Sequence, residues 1–132
     1  MSNPVISLAH IGLRTENIEH SARFYESLGF VLQERLSVPA AEGAVEIAFL
    51  AQAGIVVELY QLPNRADKPF IGYGFEHIAL NVSSLEDAMD WVGGLGHAIV
   101  EGPTVLPSGE RGVRYFMIAG PDNERVEFAQ SL

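Results

Sequence analysis

Apolar Ile11 and Leu13 fall between His10, Gly12 and Arg14, the two-residue period of a strand with one buried face. From residue 18 the spacing changes to that of a one-sided helix. Ile18, Ala22, Tyr25 and Leu28 form its stripe, and Gly29 follows where a residue without a side chain can take the left-handed conformation that ends a helix. Strand-like runs resume at 30–37, 45–50 and 55–61. The succession then returns. After a strand around His77 comes a helix with Leu85, Ala88, Val92 and Leu95 as its stripe, Gly96 as its stop, and Ser83 with Glu86 as a capping box. Strands are expected again at 98–101, 112–119 and 125–130, and turn-rich connections at 39–43, 63–74 and 102–111.

The two successions are copies. Ala9-His10-Ile11-Gly12-Leu13 reappears 67 residues later as Glu76-His77-Ile78-Ala79-Leu80, and at the same offset Ile18 meets Leu85, Phe24 meets Trp91, and Leu28-Gly29 meets Leu95-Gly96. Each half therefore reads βαβββ. The 132 residues suffice for one core and fall short of two independent globules. The expected organisation is a single α+β domain over 1–132, made of modules 1–62 and 75–132 with a linker at 63–74.

Strand alternation then sorts the polar residues. His10, Gly12 and Arg14 share one face and His77, Ala79 and Asn81 the matching one, while the apolar residues between them must lie under a helix. In the last strand of each half, Glu58 is opposed by Val57 and Leu59, and Glu127 by Val126 and Phe128. Each module thus offers one imidazole and one carboxylate on the uncovered side of its sheet, 48 residues apart in the first and 50 in the second. Two such modules, paired, would close a cupped sheet around a metal site. Two imidazoles and two carboxylates suit Zn, Ni, Co or Mn, with positions left for water or substrate oxygens. A salt-bridged cleft without metal is the plainer alternative.

Composition narrows the function. Hydrophobic residues at 48% and charged residues at 19% describe a folded globular chain. A net charge of −9 repels phosphate backbones and anionic lipid, so neither nucleic acid nor a membrane is an expected partner. The chain has no cysteine, which excludes disulfides and thiol nucleophiles and is compatible with a reducing compartment. No apolar run is long enough to span a bilayer, and the expected location is the cytoplasm.

The chain resembles the vicinal oxygen chelate superfamily over nearly its whole length. The likeness rests on His10 to Arg14 leading into Ser21-Ala22-Arg23-Phe24-Tyr25-Glu26-Ser27-Leu28-Gly29-Phe30, on Val57-Glu58-Leu59, on His77-Ile78-Ala79-Leu80, and on Gly120-Pro121-Asp122-Asn123-Glu124-Arg125-Val126-Glu127-Phe128. In the last of these Gly120 and Asn123 depart from the family's Asp-Pro-Asp-Gly turn, but Asn also tolerates positive φ. Within the superfamily the set His10, Glu58, His77, Glu127 is most similar to that of glyoxalase I. The resemblance implies a metal-dependent lyase or isomerase acting on a small carbonyl substrate, with Glu127 or Glu58 as the base, Arg14 on the substrate, and a homodimeric assembly. The run Glu58-Leu59-Tyr60-Gln61-Leu62-Pro63 departs from the Glu-Leu-Thr and Asn-Trp of glyoxalase I. A methylmalonyl-CoA epimerase-like enzyme and a non-catalytic binding or resistance protein are the competing readings.

Three further residues are candidates for the substrate. Arg14 and Asn81 share the faces of the two histidines, and Arg114 lies beside a Gly-rich loop. His20 and His97 have no counterpart histidine in the other half and read as surface or capping residues. Phe49, Tyr60 and Phe116 read as cavity wall or core, and Trp91 as helix packing.

Overall fold

A computed structural model describes residues 3–4, 9–63, 75–108 and 110–132 of the chain, and the chain divides into two compact units, Met1–Pro69 and Phe70–Leu132. The first contains β1 (Ile11–Arg14), α1 (Ile18–Ser27), β2 (Val31–Ala40), β3 (Gly43–Gln52) and β4 (Ile55–Gln61). The second contains β5 (His77–Asn81), α2 (Leu85–Gly94), β6 (Ile99–Leu106), β7 (Val113–Ala119) and β8 (Arg125–Ser131). Both are βαβββ modules. Their four-stranded sheets run β1-β4-β3-β2 and β5-β8-β7-β6, with β1 parallel to β4, β5 parallel to β8, and the remaining pairs antiparallel. Of the linker expected at 63–74, residues 64–74 lie outside the described residues.

Each helix covers one sheet face. Val57, Leu59, Ala48 and Leu50 are fully buried in the first unit together with Tyr25 and Leu28, and Val126, Phe128, Phe116 and Ile118 in the second together with Leu85 and Val92. Ala22 was the expected member of the α1 stripe, yet Ser21 takes the fully buried place and Ala22 is half-buried. The Ser21 hydroxyl meets that of Thr15 at 2.6 Å, so burying this polar group leaves no unmet hydrogen bond. Leu95, expected in the α2 stripe, is exposed. Phe128 stacks on Phe116, ring centroids 4.9 Å apart, and receives the edge of Trp91.

The helix ends follow the repeat. Gly29 and Gly96 have φ of 98° and 90°, and beyond them the N–H groups of Phe30 and His97 return to the carbonyls of Tyr25 and Val92, the closure of a helix by a left-handed residue. At the start of α2 the capping residue is Ser84, which accepts from the Asp87 N–H at 3.2 Å. The expected Ser83 and Glu86 box is one residue out of step. Asn17 caps α1 by accepting from the His20 N–H. Each helix start also has a second clamp. The Ile18 N–H donates to Gln61 Oε1 at 2.8 Å and the Leu85 N–H to Gln130 Oε1 at 2.7 Å. Both glutamines stand three residues after a candidate glutamate, so a single strand turns its Glu to the open face and its Gln to the helix.

Two expected turns prove to be partly strand. β2 continues through Pro39, paired with Ala44, to Ala40, and the 39–43 connection shrinks to the two residues between Ala40 and Gly43. β6 continues through Gly102 and Pro103 to Leu106, with irregular register around them. Both are outer strands, where a proline withholds a donor that no neighbour needs. Gly102, at φ 82°, also fits the backbone closely, since a Cβ there would lie 2.7 Å from the Tyr115 carbonyl oxygen. Among the described residues no helix is long and apolar enough to cross a membrane.

Candidate metal centre

Because Val57 and Leu59 are buried beneath α1, alternation turns Glu58 to the uncovered face of its sheet. The parallel register sets Gly12 beside Glu58, and His10, two residues earlier, shares their face. His10 Nε2 lies 3.8 Å from Glu58 Oε1. The second unit repeats the construction: Val126 and Phe128 are buried, Ala79 stands beside Glu127, and His77 Nε2 lies 4.0 Å from Glu127 Oε1. On its parallel side each glutamate neighbours a residue with little or no side chain. A Cβ on Gly12 would lie 3.8 Å from both Glu58 Oε1 and the Tyr60 ring, so an alanine fits, as Ala79 does in the second unit.

The glutamate side chains are 23% and 18% exposed and the histidines 39% and 41%, so each carboxylate is more shielded than its imidazole. Neither His–Glu separation is short enough for a hydrogen bond. Both lie within the roughly 4.2 Å that is the largest separation of two ligands about 2.1 Å from one metal, and exceed the roughly 3.4 Å of a tetrahedral pair, so a shared ion would draw each pair together by about half an ångström. Each unit by itself thus supplies one imidazole and one carboxylate. Among the described residues no group of three His, Asp or Glu side chains is gathered as a metal cage.

The sheet carries the pattern further from the pairs. Across the strands, Gly12, Glu58, Phe49 and Glu34 form one row, and Ala79, Glu127, Met117 and Glu101 the matching one. The outer glutamates, both exposed, extend the symmetry to the edge strands. Tyr115 donates its phenolic hydrogen to Glu101 at 3.1 Å. That bond raises the Tyr115 pKa above its ordinary value, with desolvation and the negative charges of Glu101 and Glu127 acting in the same direction.

The environments of the two imidazoles differ. His77 Nδ1 lies 2.6 Å from Glu76 Oε1. His10 instead packs its ring against Phe49, edge to face, with centroids 5.4 Å apart.

Of the three expected substrate residues, Arg14 and Asn81 lie on the open faces, in register with Tyr60 and Ala129. Arg114 does not join them. It is paired in register with Gln130, whose side chain serves the helix, and its guanidinium reaches Glu86 of α2 at 2.6 Å. Proximity to a Gly-rich loop misled the expectation for Arg114, because strand alternation puts it on the side of buried Phe116 and Ile118. Sequence reasoning also missed Gln61, Gln130 and Glu76. A Glu-x-x-Gln spacing shared by β4 and β8 was the available signal for the first two.

Fold and site together define a two-module βαβββ protein that carries one His–Glu pair on the open sheet face of each module. The family model for the Glyoxalase/Bleomycin resistance protein/Dioxygenase superfamily matches residues 7–128, and the chain belongs to that superfamily. The uncharacterized protein YwbC of Bacillus subtilis (strain 168) is 31% identical over 124 residues, which cover 92% of this chain and 94% of that protein. Among solved structures, a glyoxalase family protein from Bacillus cereus is similar at a TM-score of 0.73 and 18% identity, covering 98% of this chain and 97% of its own. The genomically encoded fosfomycin resistance protein FosX from Listeria monocytogenes, complexed with Mn(II) and sulfate ion, is similar at 0.67 and 16% identity, covering 97% and 94%. At these identities the likeness to the solved structures is one of fold.

Proposed function

We propose that the protein is a metal-dependent lyase or isomerase of the glyoxalase I type, in which His10, Glu58, His77 and Glu127 hold one divalent ion of Zn, Ni, Co or Mn. The observation that carries this reading is the repetition of a His–Glu pair, at 3.8 Å in one module and 4.0 Å in the other, on matched open faces. That FosX is complexed with Mn(II) supports a divalent cation on this scaffold. The donors also lack the soft sulfur ligands that would favour other ions.

A divalent ion held there supplies Lewis acidity at a substrate carbonyl oxygen, which acidifies the neighbouring C–H. The chain's own work is proton transfer. Glu127 or Glu58 takes the proton from that carbon and returns it to the adjacent one, an isomerisation that balances without an oxidant or reductant. Losing such a base costs about 10²- to 10⁴-fold in rate. Arg14 and Asn81 hold the substrate's polar groups from the same faces.

A superfamily epimerase, using the same proton transfer without a thiol, is the second reading. It is favoured by the missing Asn-Trp pair after Glu58.

Elemental analysis of the purified protein and of His77→Ala, followed by an assay with methylglyoxal and glutathione, tests the proposal. The expected result is about one metal per chain, lost in the variant, with turnover in the wild type. Metal without turnover, joined by solvent-deuterium exchange into a thiol-free carbon acid, would favour the epimerase. A wild type that takes up no supplied divalent metal would leave a binding protein as the better account.

A further inference from the structure

We propose that Glu76 is a positioning residue that holds the His77 ring in the Nδ1–H tautomer, so that Nε2 presents its lone pair on the open face. The inference rests on the metal-centre reading for its purpose, though not for its geometry. A neutral imidazole carries one proton, and the hydrogen bond made by one nitrogen decides which of the two bears it. An ionised carboxylate only accepts. With Glu76 Oε1 at 2.6 Å from Nδ1, the proton belongs on Nδ1 and the lone pair on Nε2, the atom that faces Glu127 at 4.0 Å.

Glu76 is itself held in place. Its carbonyl accepts from the Arg125 N–H at 3.0 Å, just where His77 pairs with Arg125 at the start of the β5–β8 ladder. The backbone of the residue that directs the ring is therefore tied to the strand that carries Glu127.

Among the described residues the first module does not repeat this device. The residue before His10 is Ala9, which has no carboxylate to offer, and the His10 ring packs against the hydrocarbon of Phe49. Repetition of the His–Glu pair without repetition of the directing carboxylate makes the two imidazoles chemically unequal. A carboxylate behind a ligating imidazole fixes its tautomer and raises its basicity, and removing one typically weakens metal binding by about 10- to 100-fold.

Nitrogen-15 NMR of the imidazoles in metal-free protein, near pH 8.5 where an ordinary histidine is neutral, reads the tautomers directly. In wild type His77 is expected as Nδ1–H. Glu76→Ala should shift it toward Nε2–H, whereas Glu76→Gln, whose amide oxygen still accepts, should largely preserve Nδ1–H. The His10 signals should stay fixed in both variants. Equilibrium dialysis against Zn or Ni should then show binding weakened by about 10- to 100-fold in Glu76→Ala and by less in Glu76→Gln. A His77 tautomer unchanged by Glu76→Ala would overturn the proposal, as would an unchanged metal affinity. If the wild type bound no metal, the proposed function would fall, while the NMR result would still decide whether Glu76 positions the ring.

Discussion

The two modules use one plan and finish it differently. Both set a glutamate beside a small residue on a parallel strand pair, both put a histidine on the same face, and both clamp the helix start with a glutamine from the strand that bears the glutamate. The second adds a carboxylate behind its imidazole, and the first leaves its imidazole against an aromatic ring. What repeats is what alternation and register enforce. What differs comes from single side chains beside the pairs, Ala9 against Glu76 and Phe49 against Met117, which the backbone plan leaves open. Duplicated architecture therefore need not produce equivalent halves of a site.

The sharpest way to break the comparison is to remove one histidine at a time. If the second module is the better prepared half, His77→Ala should weaken metal binding by more than the 100-fold or so that bounds a supporting residue. His10→Ala should cost clearly less, because its ring gives up less prior orientation. Competition with a calibrated chelator measures both. Equal losses would mean that Glu76 confers no advantage on its module and that the half-sites are alike in spite of their surroundings.

A smaller effect sharpens the symmetric side of the plan. Gln61→Ala and Gln130→Ala each remove a bond at 2.8 or 2.7 Å to a helix-start N–H, which should destabilise the fold by about 1 kcal/mol. The two losses should be similar, since Asn17 and Ser84 cap the same first turn of each helix in the same way. Urea unfolding of the single variants checks this. A strong effect in one and none in the other would show that the shared geometry hides unequal energetics.

Much of this was legible along the chain, for a physical reason. Strand periodicity is local, so the faces of His10, Glu58, His77 and Glu127 followed from their immediate neighbours, and Asn123 could be expected to hold a positive φ, which it does at 66°. Elements failed where a local signal depends on lateral position. Pro39 and Pro103 signal turns until one knows that β2 and β6 are outer strands. Ser21 looks less suited than Ala22 to a buried stripe until Thr15 supplies its partner. The Glu76 contact depends on how a side chain outside the regular strand bends toward its neighbour, and no periodicity encodes that.

The smallest expected effect concerns the ion pairs on the helix-covered sides. Glu19 and Glu86 occupy matched places on α1 and α2, yet their arginines come from different strands: Arg35 of β2 reaches Glu19 at 2.7 Å and Glu46 at 3.1 Å, while Arg114 of β7 reaches Glu86. The hydrogen bond from Arg114, followed by a backbone hydrogen bond and the arginine's charge, lowers the Glu86 pKa below its ordinary value. A carboxyl lowered on folding favours the folded state above its unfolded pKa, and that contribution disappears as pH falls through the folded one. Arg114→Ala should therefore move the Glu86 titration upward and flatten stability against pH across the acid range between those two values, with an effect that salt diminishes because the pair is exposed. Side-chain carboxyl NMR follows the titration. The same substitution should leave metal uptake unchanged, because Arg114 faces the helix. A loss of metal binding in Arg114→Ala would mean that this arginine acts on the open face after all, and that the two sides of the second sheet are less separate than its alternation requires.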